Sequence, residues 1–274
     1  MSYKTTSYVA HPVDEHGNAN YTQEENQVWE ELITRQIPIV QGRACDEYIR
    51  GIELLNMPHD RVPQCPEITK VLKRETGWAL EPVTALIPFS KFFNLLANQK
   101  FPAATFIRRK DELDYLQEPD IFHEVFGHCP MLTNPACAEF THIYGKLGEK
   151  ASHEDQVMLA KLYWFTIEFG LIQTQQGLRA YGGGILSSKS ETVYCVESPI
   201  PQRKIFDPME VLRTPYRIDI MQPIYFIIDS FDILFRLTEM DLIGLIREAR
   251  ALGMYEPTYE KKLTQAEEEG RNAC

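Results

Sequence analysis

Pro119-Asp120-Ile121-Phe122-His123-Glu124-Val125-Phe126-Gly127-His128-Cys129-Pro130 carries two histidines five residues apart, with Asp120 shortly before the first and Glu124 directly after it. Five α-helical residues would leave the two imidazoles about 140° off a common face. They converge more easily if the helix ends between them. Gly127 and Pro130 supply that ending, because Gly favours a helix C-terminus and Pro resists continuation. The stretch therefore predicts His123 on the last turns of a helix and His128 at its exit. It is not the zinc-protease pattern, which needs histidines four apart with a Glu base between them. An isolated pair of this kind is more often one core histidine and one capping histidine. A metal site needs at least one further ligand.

That ligand has to come from elsewhere in the chain. Residues 153–175 predict a helix in which Leu162, Tyr163, Trp164, Phe165, Ile167, Phe169, Leu171 and Ile172 make the surface apolar nearly all round. Such a helix is buried. Glu168 lies in the middle of it, and a buried carboxylate needs a cation or a proton. A buried arginine partner is the bland answer. A metal completing the two-histidine set is the sharp one.

The rest of the chain predicts a mainly helical α+β protein with a few short strands. Thr22 with Glu25 forms a capping-box pattern opening a helix that carries Val28, Trp29, Leu32 and Ile33. Further helices are expected over 44–56, 66–75, 90–99 and 134–148. Strand character is expected over 101–109 and 192–196. The stretch 82–89 is a strand or a buried loop, and periodicity does not choose. Tyr181-Gly182-Gly183-Gly184 reads as a flexible turn whose glycines let the backbone pass close to something; it is not the GxGxxG dinucleotide fingerprint. Ile218–Leu237 is aromatic-rich and is expected in the core.

Composition sets outer bounds. With 274 residues, 44% hydrophobic, the chain has ample apolar material for a core. No linker divides its middle, so one catalytic domain over 21–257 is expected, between a loosely ordered arm (1–20) and a polar tail (258–274). A net charge of −11 argues against nucleic acid and anionic membranes as partners. The polar N-terminus does not read as a signal peptide, and no apolar run is long enough to cross a bilayer. The six cysteines show no CxxC spacing and read as reduced thiols of a cytoplasmic protein.

Taken together, His123, His128 and Glu168 form a two-His-one-carboxylate set. It leaves positions open for O₂ and a co-substrate at a non-haem Fe(II), although the same ligand types also serve catalytic zinc. The aromatic setting of Glu168 suits an aromatic substrate and an oxidation kept from water better than it suits a hydrolase's wet cleft.

PDIFHEVFGHCPML, LYWFTIEFGLI, AYGGGILSS and MQPIYF closely resemble the pterin-dependent aromatic amino acid hydroxylases, best their bacterial phenylalanine-hydroxylating branch. The resemblance runs in one register from about Tyr21 to Phe235 and includes YTQEENQVW, RVPQCPEI and the arginine of TFIRR. The stretch 111–117, DELDYLQ, departs from the family's pattern. The chain resembles the catalytic part of the animal enzymes without their regulatory domain and oligomerisation helix.

The resemblance implies that His123, His128 and Glu168 bind Fe(II), that Glu124 lies beside a tetrahydropterin such as tetrahydrobiopterin, and that Phe92 stacks on the pterin ring. It implies that Arg108 holds the substrate carboxylate, that Asp120 supports Arg108, that Trp164 flanks the substrate ring, and that Ser187 orients His123. The implied reaction is hydroxylation of L-phenylalanine to L-tyrosine with O₂, a monooxygenase step of phenylalanine catabolism served in the cell by pterin-recycling enzymes. Read without the family, Phe92 and Trp164 are core aromatics, Glu124 a solvated helix residue, Ser187 a turn hydroxyl, and Arg108–Asp120 a structural pair. The rival functions are a tryptophan or tyrosine hydroxylase of the same family, a zinc-dependent hydrolase, and a non-catalytic metal-stabilised binding protein.

Overall fold

The computed structural model describes residues 8–260 apart from 85, 115 and 117. Of the described residues, 53% are helical and few lie in short strands, the expected mainly helical α+β class. Three helices open it: α1 (Gln23–Val40), α2 (Asp46–Leu55) and α3 (Cys65–Glu75). The Thr22 side chain and Glu25 cap α1 reciprocally, as the sequence predicts. Trp29, Leu32 and Ile33 on α1 and Tyr48 on α2 are buried in the main core.

β1 (Ala79–Val83) pairs in parallel with β2 (Lys100–Ala104), and α4 (Phe89–Ala97) crosses between them. The strand expected over 101–109 thus ends at Ala104. The undecided stretch 82–89 divides between the end of β1, a loop and the start of α4. A second sheet has the order β4-β3-β6-β5, built from β3 (Gly170–Thr174), β4 (Gly177–Ala180), β5 (Gln202–Ile205) and β6 (Ile224–Ile228). β3 is antiparallel to β4 and parallel to β6, and β5 is parallel to β6.

Two sequence expectations fail at helix boundaries. The long helix expected over 153–175 is α7 (His153–Tyr163) followed by a π turn (Trp164–Glu168) and then strand β3. Glu168 therefore closes a helix instead of sitting in its middle. An apolar run such as Leu171-Ile172 has no period that separates buried strand from buried helix, and pairing with β4 and β6 decides it. The strand expected over 192–196 is the helix α9 (Lys189–Glu197), started by the Ser188 hydroxyl accepting from Glu191 N. Thr192 and Val196 are β-branched and suggest a strand. The cap overrides them, and the Thr192 hydroxyl is satisfied by the carbonyls of Ile185 and Ser188.

The described part of the N-terminal arm is not loose. Tyr8 stacks on Phe106 at 4.7 Å, and His11 exchanges hydrogen bonds with Thr105 through its N–H (3.1 Å) and its carbonyl (2.7 Å). The His11 ring meets Glu25 at 2.6 Å. The final stretch, α10 (Pro208–Arg213), β6, α11 (Asp232–Glu239) and α12 (Leu242–Leu252), buries Tyr225, Phe226, Ile228 and Leu234 in the core. Of the tail, residues 261–274 lie outside the described residues. No helix among the described residues is long and apolar enough to cross a membrane.

α4 packs closely on α6 (Pro135–Lys150), and Gly145 is where the two backbones meet. A Cβ at Gly145 would stand 2.4 Å from Ala97 N and 2.5 Å from the Leu96 carbonyl carbon. Backbone cannot rotate aside as a side chain can. Gly145→Ala is expected to destabilise the fold by about 1–3 kcal/mol, read as a lower urea midpoint at unchanged slope. An unchanged midpoint would show that α4 and α6 separate freely.

Candidate active site

The two histidines are brought together by a device the sequence reading does not anticipate. Residues His123–His128 form a π turn that runs straight into α5 (Cys129–Leu132), with Pro130 accommodated in the first turn of α5. The helix does not end between the histidines; it widens. A π turn hydrogen-bonds i to i+5, so residues five apart come to lie one above the other. His123 and His128 satisfy that spacing, and their Nε2 atoms stand 3.1 Å apart. Gly127 and Pro130 are correctly placed as helix irregularities, but the irregularity is an extra residue in the turn.

The second π turn supplies the third side chain. Phe169 N donates to Trp164 O at 2.8 Å across its i to i+5 span, and the turn delivers Glu168 to the histidines. Glu168 Oε1 lies 3.2 Å from His128 Nε2, and Oε2 lies 3.6 Å from His123 Nε2. Ligands held at about 2.1 Å and right angles around one ion stand about 3 Å apart. The three separations fit that requirement, and the donor set is the two imidazoles and one carboxylate of a facial site.

Two features hold these ligands in place. The Gly182-Gly183-Gly184 run packs against both. A Cβ at Gly182 would meet Glu168 O at 2.3 Å, one at Gly183 the His128 ring at 2.5 Å, and one at Gly184 Glu168 Oε2 at 2.9 Å. The glycines do let the backbone pass close to something, and that something is the ligand set. They form the start of a short helix, α8 (Gly183–Leu186), where the sequence suggested a plain loop. Ser187 follows at once. Its hydroxyl donates to Gly183 O at 2.8 Å and so accepts from His123 Nδ1–H at 2.9 Å. That fixes the tautomer and leaves the Nε2 lone pair facing His128 and Glu168.

Electrostatics agree with this arrangement. Burial drives the His123 pKa down to about 4, with Glu168 opposing and His128 assisting, so the ring is a neutral donor. Burial alone would raise Glu168, but His128, His123 and the Gly184 N–H reverse it and hold the carboxylate below its usual range. Glu124, in the first π turn, goes the other way: burial, then the charges of Glu168 and Asp120, push it well above the ordinary value.

Arg108 and Asp120 form a buried pair beside the ligands. The Arg108 Nε and NH2 groups donate to the two Asp120 oxygens at 2.9 Å each, and Arg108 N adds a third bond at 2.9 Å. Asp120 Oδ1 also accepts from His123 N at 3.0 Å. Burial would raise Asp120, but Arg108 and the His123 N–H hold it below the usual range. Among the described residues, the NH1 group of Arg108 has only a long contact, 3.4 Å, to Leu113 O. The segment 111–117 begins in a short 3₁₀ turn (Lys110–Glu112), and its Tyr115 and Gln117 lie outside the described residues.

Phe92, half-buried on α4, sits edge-on to Tyr163 at 5.3 Å, next to Trp164. Trp164 itself lies between Phe169 (4.4 Å) and Tyr216 (4.6 Å), and its indole N–H donates to Gln222 Oε1 at 3.2 Å. Tyr216 and Gln222 were missed as site residues. Gln222 stands inside the quoted motif MQPIYF, but a motif does not show what a residue touches. Tyr216 has no signal in the sequence.

The comparisons agree with the geometry. Residues 4–239 match the family described as biopterin-dependent aromatic amino acid hydroxylase. The chain belongs to that family. A phenylalanine-4-hydroxylase of Pseudomonas aeruginosa is 58% identical over 94% of this chain and 98% of its own length. The apo structure of a cold active phenylalanine hydroxylase from Colwellia psychrerythraea superposes with a TM-score of 0.89 at 54% identity, covering 92% of this chain and 97% of that one. A Chromobacterium violaceum phenylalanine hydroxylase with bound oxidized Fe(III) superposes with a TM-score of 0.84 at 44% identity, over 89% and 91% of the two chains. The family is pterin-dependent, and the His123–His128–Glu168 cluster has the donor set and spacing that could hold a metal ion.

Because Ser187 fixes the His123 tautomer, Ser187→Ala is expected to weaken Fe(II) retention about ten- to a hundredfold without changing the circular dichroism. Metal titration against a chelator measures this. Retention equal to the parent would show that the turn alone orients the ring.

Proposed function

We propose that the chain is a phenylalanine 4-monooxygenase that converts L-phenylalanine to L-tyrosine with O₂ and a tetrahydropterin at Fe(II). The observation that carries the reading is the conjunction of the facial His123–His128–Glu168 set with a braced arginine beside it. His123, His128 and Glu168 hold the iron. Bound there, Fe(II) and tetrahydropterin supply O₂ activation and the electrons for hydroxylation. Every other requirement falls on the chain.

Arg108 holds the substrate carboxylate. A guanidinium has two bidentate edges. Asp120 occupies the Nε–NH2 edge, which leaves the NH1–NH2 edge for a second carboxylate. Asp120 also braces the His123 backbone, so the anchor for the amino acid and the metal ligand share one support. Trp164, packed between Phe169 and Tyr216, forms a wall for the substrate ring. Phe92 offers an aromatic face to the pterin, and Glu124 lies beside it with a raised pKa suited to holding a proton. Phe101 and the buried aromatics around the ligands keep bulk water out.

The reading takes 21–257 as the catalytic domain, flanked by the arm and the polar tail. It places the chain in the cytoplasm, where phenylalanine catabolism and pterin-recycling enzymes would serve it. The five described cysteines, all buried and unpaired, support a reducing compartment.

The deciding experiment is product analysis with phenylalanine, tryptophan and tyrosine under identical Fe(II) and tetrahydropterin conditions. Tyrosine formed from phenylalanine, with O₂ uptake that NADH does not support directly, is expected. Hydroxylation of tryptophan alone would move the chain to a sister activity. Activity with zinc and no pterin would discard the oxygenase reading.

Arg108→Lys keeps the charge and loses the fork. It is expected to raise the phenylalanine KM about ten- to a hundredfold, the loss of one charge-assisted contact, at normal iron content. An unchanged KM with intact iron would mean that the carboxylate is held elsewhere.

A further inference from the structure

Glu191 is a buried carboxylate on α9, 5% exposed, and among the described residues no cation pairs with it. A buried carboxylate in that position is costly unless it is well hydrogen-bonded. Its Oε1 accepts from the Tyr225 hydroxyl and from Gln222 N at 3.0 Å. The carboxyl group thus joins the Tyr225 hydroxyl to the backbone of Gln222, itself 1% exposed.

The Gln222 side chain has one orientation that satisfies its surroundings. Its Nε2 donates to Arg217 O at 2.8 Å and to Ile220 O at 3.0 Å. Both neighbours are carbonyls, so the amide nitrogen must face them. The amide oxygen is then turned to the Trp164 indole N–H at 3.2 Å. The Arg217 and Ile220 carbonyls belong to the loop that carries Tyr216, whose ring stacks on Trp164 at 4.6 Å and 24°. One side chain therefore grips the indole at its edge and ties down the loop that packs on its face.

We infer that Gln222, seated by Glu191, is a positioning residue that sets the plane of Trp164 and with it the fit of the substrate's aromatic ring. This rests on the reading of Trp164 as a wall of the substrate pocket. Among the described residues Gln222 makes no hydrogen bond to His123, His128, Glu168 or Arg108, so its effect belongs to the substrate ring and not to iron or the substrate carboxylate.

The test is a double-mutant cycle between Gln222→Met and Trp164→Phe, both assayed for phenylalanine KM, kcat and iron content. Met keeps the length of Gln and removes all three hydrogen bonds. In the parent background, Gln222→Met is expected to raise the phenylalanine KM about three- to tenfold, the loss of a buried hydrogen bond, at unchanged iron content. In the Trp164→Phe background, which has no indole N–H, the same substitution is expected to change KM by less than about twofold. An equal rise in both backgrounds would make Gln222 merely structural and overturn the proposal, as would no rise in either. If Trp164→Phe alone leaves the phenylalanine KM unchanged, the wall reading fails and the proposal with it. If Trp164→Phe raises KM but Gln222→Met does not, only the proposal fails. Should Gln222→Met not fold, Glu191→Gln carries the test. It weakens the seat of Gln222 at constant shape, and about a twofold KM rise that disappears with Trp164→Phe is expected. No change in either background overturns the proposal.

Discussion

The site depends on one backbone constraint: the chain is wound i to i+5 at His123–His128 and again at Trp164–Glu168. An α-helical turn would send His128 around the side of the helix, away from His123. One extra residue per turn brings residues five apart into register, and both π turns use that register for side chains that meet. In the first, the pair is two imidazoles. In the second, it is Trp164 and Phe169, whose rings meet at 4.4 Å with a 34° tilt, and the wider turn also aims Glu168 at the histidines. A π turn is less favourable than the α-helix it interrupts. The compensation here is local packing. Gly127, with Gly183 O at 2.7 Å from where its Cβ would be, lets α8 press directly on the widened turn.

Asp120 ties the His123–His128–Glu168 cluster to Arg108. It is fully buried, and its oxygens accept from the Arg108 guanidinium, the Arg108 N–H and the His123 N–H. Loss of one member of such a buried pair leaves an uncompensated charge and costs about 3–5 kcal/mol. The pair is therefore a poor place for drift. A shift of Arg108 relative to His123 would need Asp120 to release one of its donors. On the proposed reading, a fixed distance between Arg108 and the cluster would align a substrate ring over the reactive centre.

Much of this was legible in the residues, and the limits have physical causes. His123, His128 and Glu168 do come together, and capping at Thr22 and the amphipathic helices follow from local rules that the structure obeys. The geometry joining His123 to His128 did not. A glycine and a proline near a pair of histidines signal a broken helix, but local sequence does not say whether the break is an end or an insertion. Intrinsic preference and pattern favour helix over 170–174 and strand over 192–196, the reverse of what forms, because burial against β6 in one case and the Ser188 cap in the other outweigh them. The three glycines were recognised as a close approach without the partner being visible, since the partner is 14 to 55 residues away in sequence. Tyr216 and Gln222 escaped for the same reason: their roles are contacts made across the fold.

Charge accounting gives the last link between the fold and a divalent ion. Asp120 and Arg108 satisfy each other. That leaves half-buried Glu168 and buried Glu124 near one another without an equivalent cation among the described residues, and their environments push them apart, Glu168 toward the carboxylate and Glu124 toward the protonated acid. His123, neutral through burial, offers a lone pair and no positive charge. A divalent cation among His123, His128 and Glu168 would be the largest local charge and would meet the demand that the side chains leave open. The same accounting explains the aromatic surroundings. Low polarity around Trp164, Phe169 and Phe101 strengthens the attraction between the ligands and the ion, and it presents a surface suited to an aromatic ring. The chemistry that needs a dry site and the substrate that fits a dry site are therefore served by the same side chains.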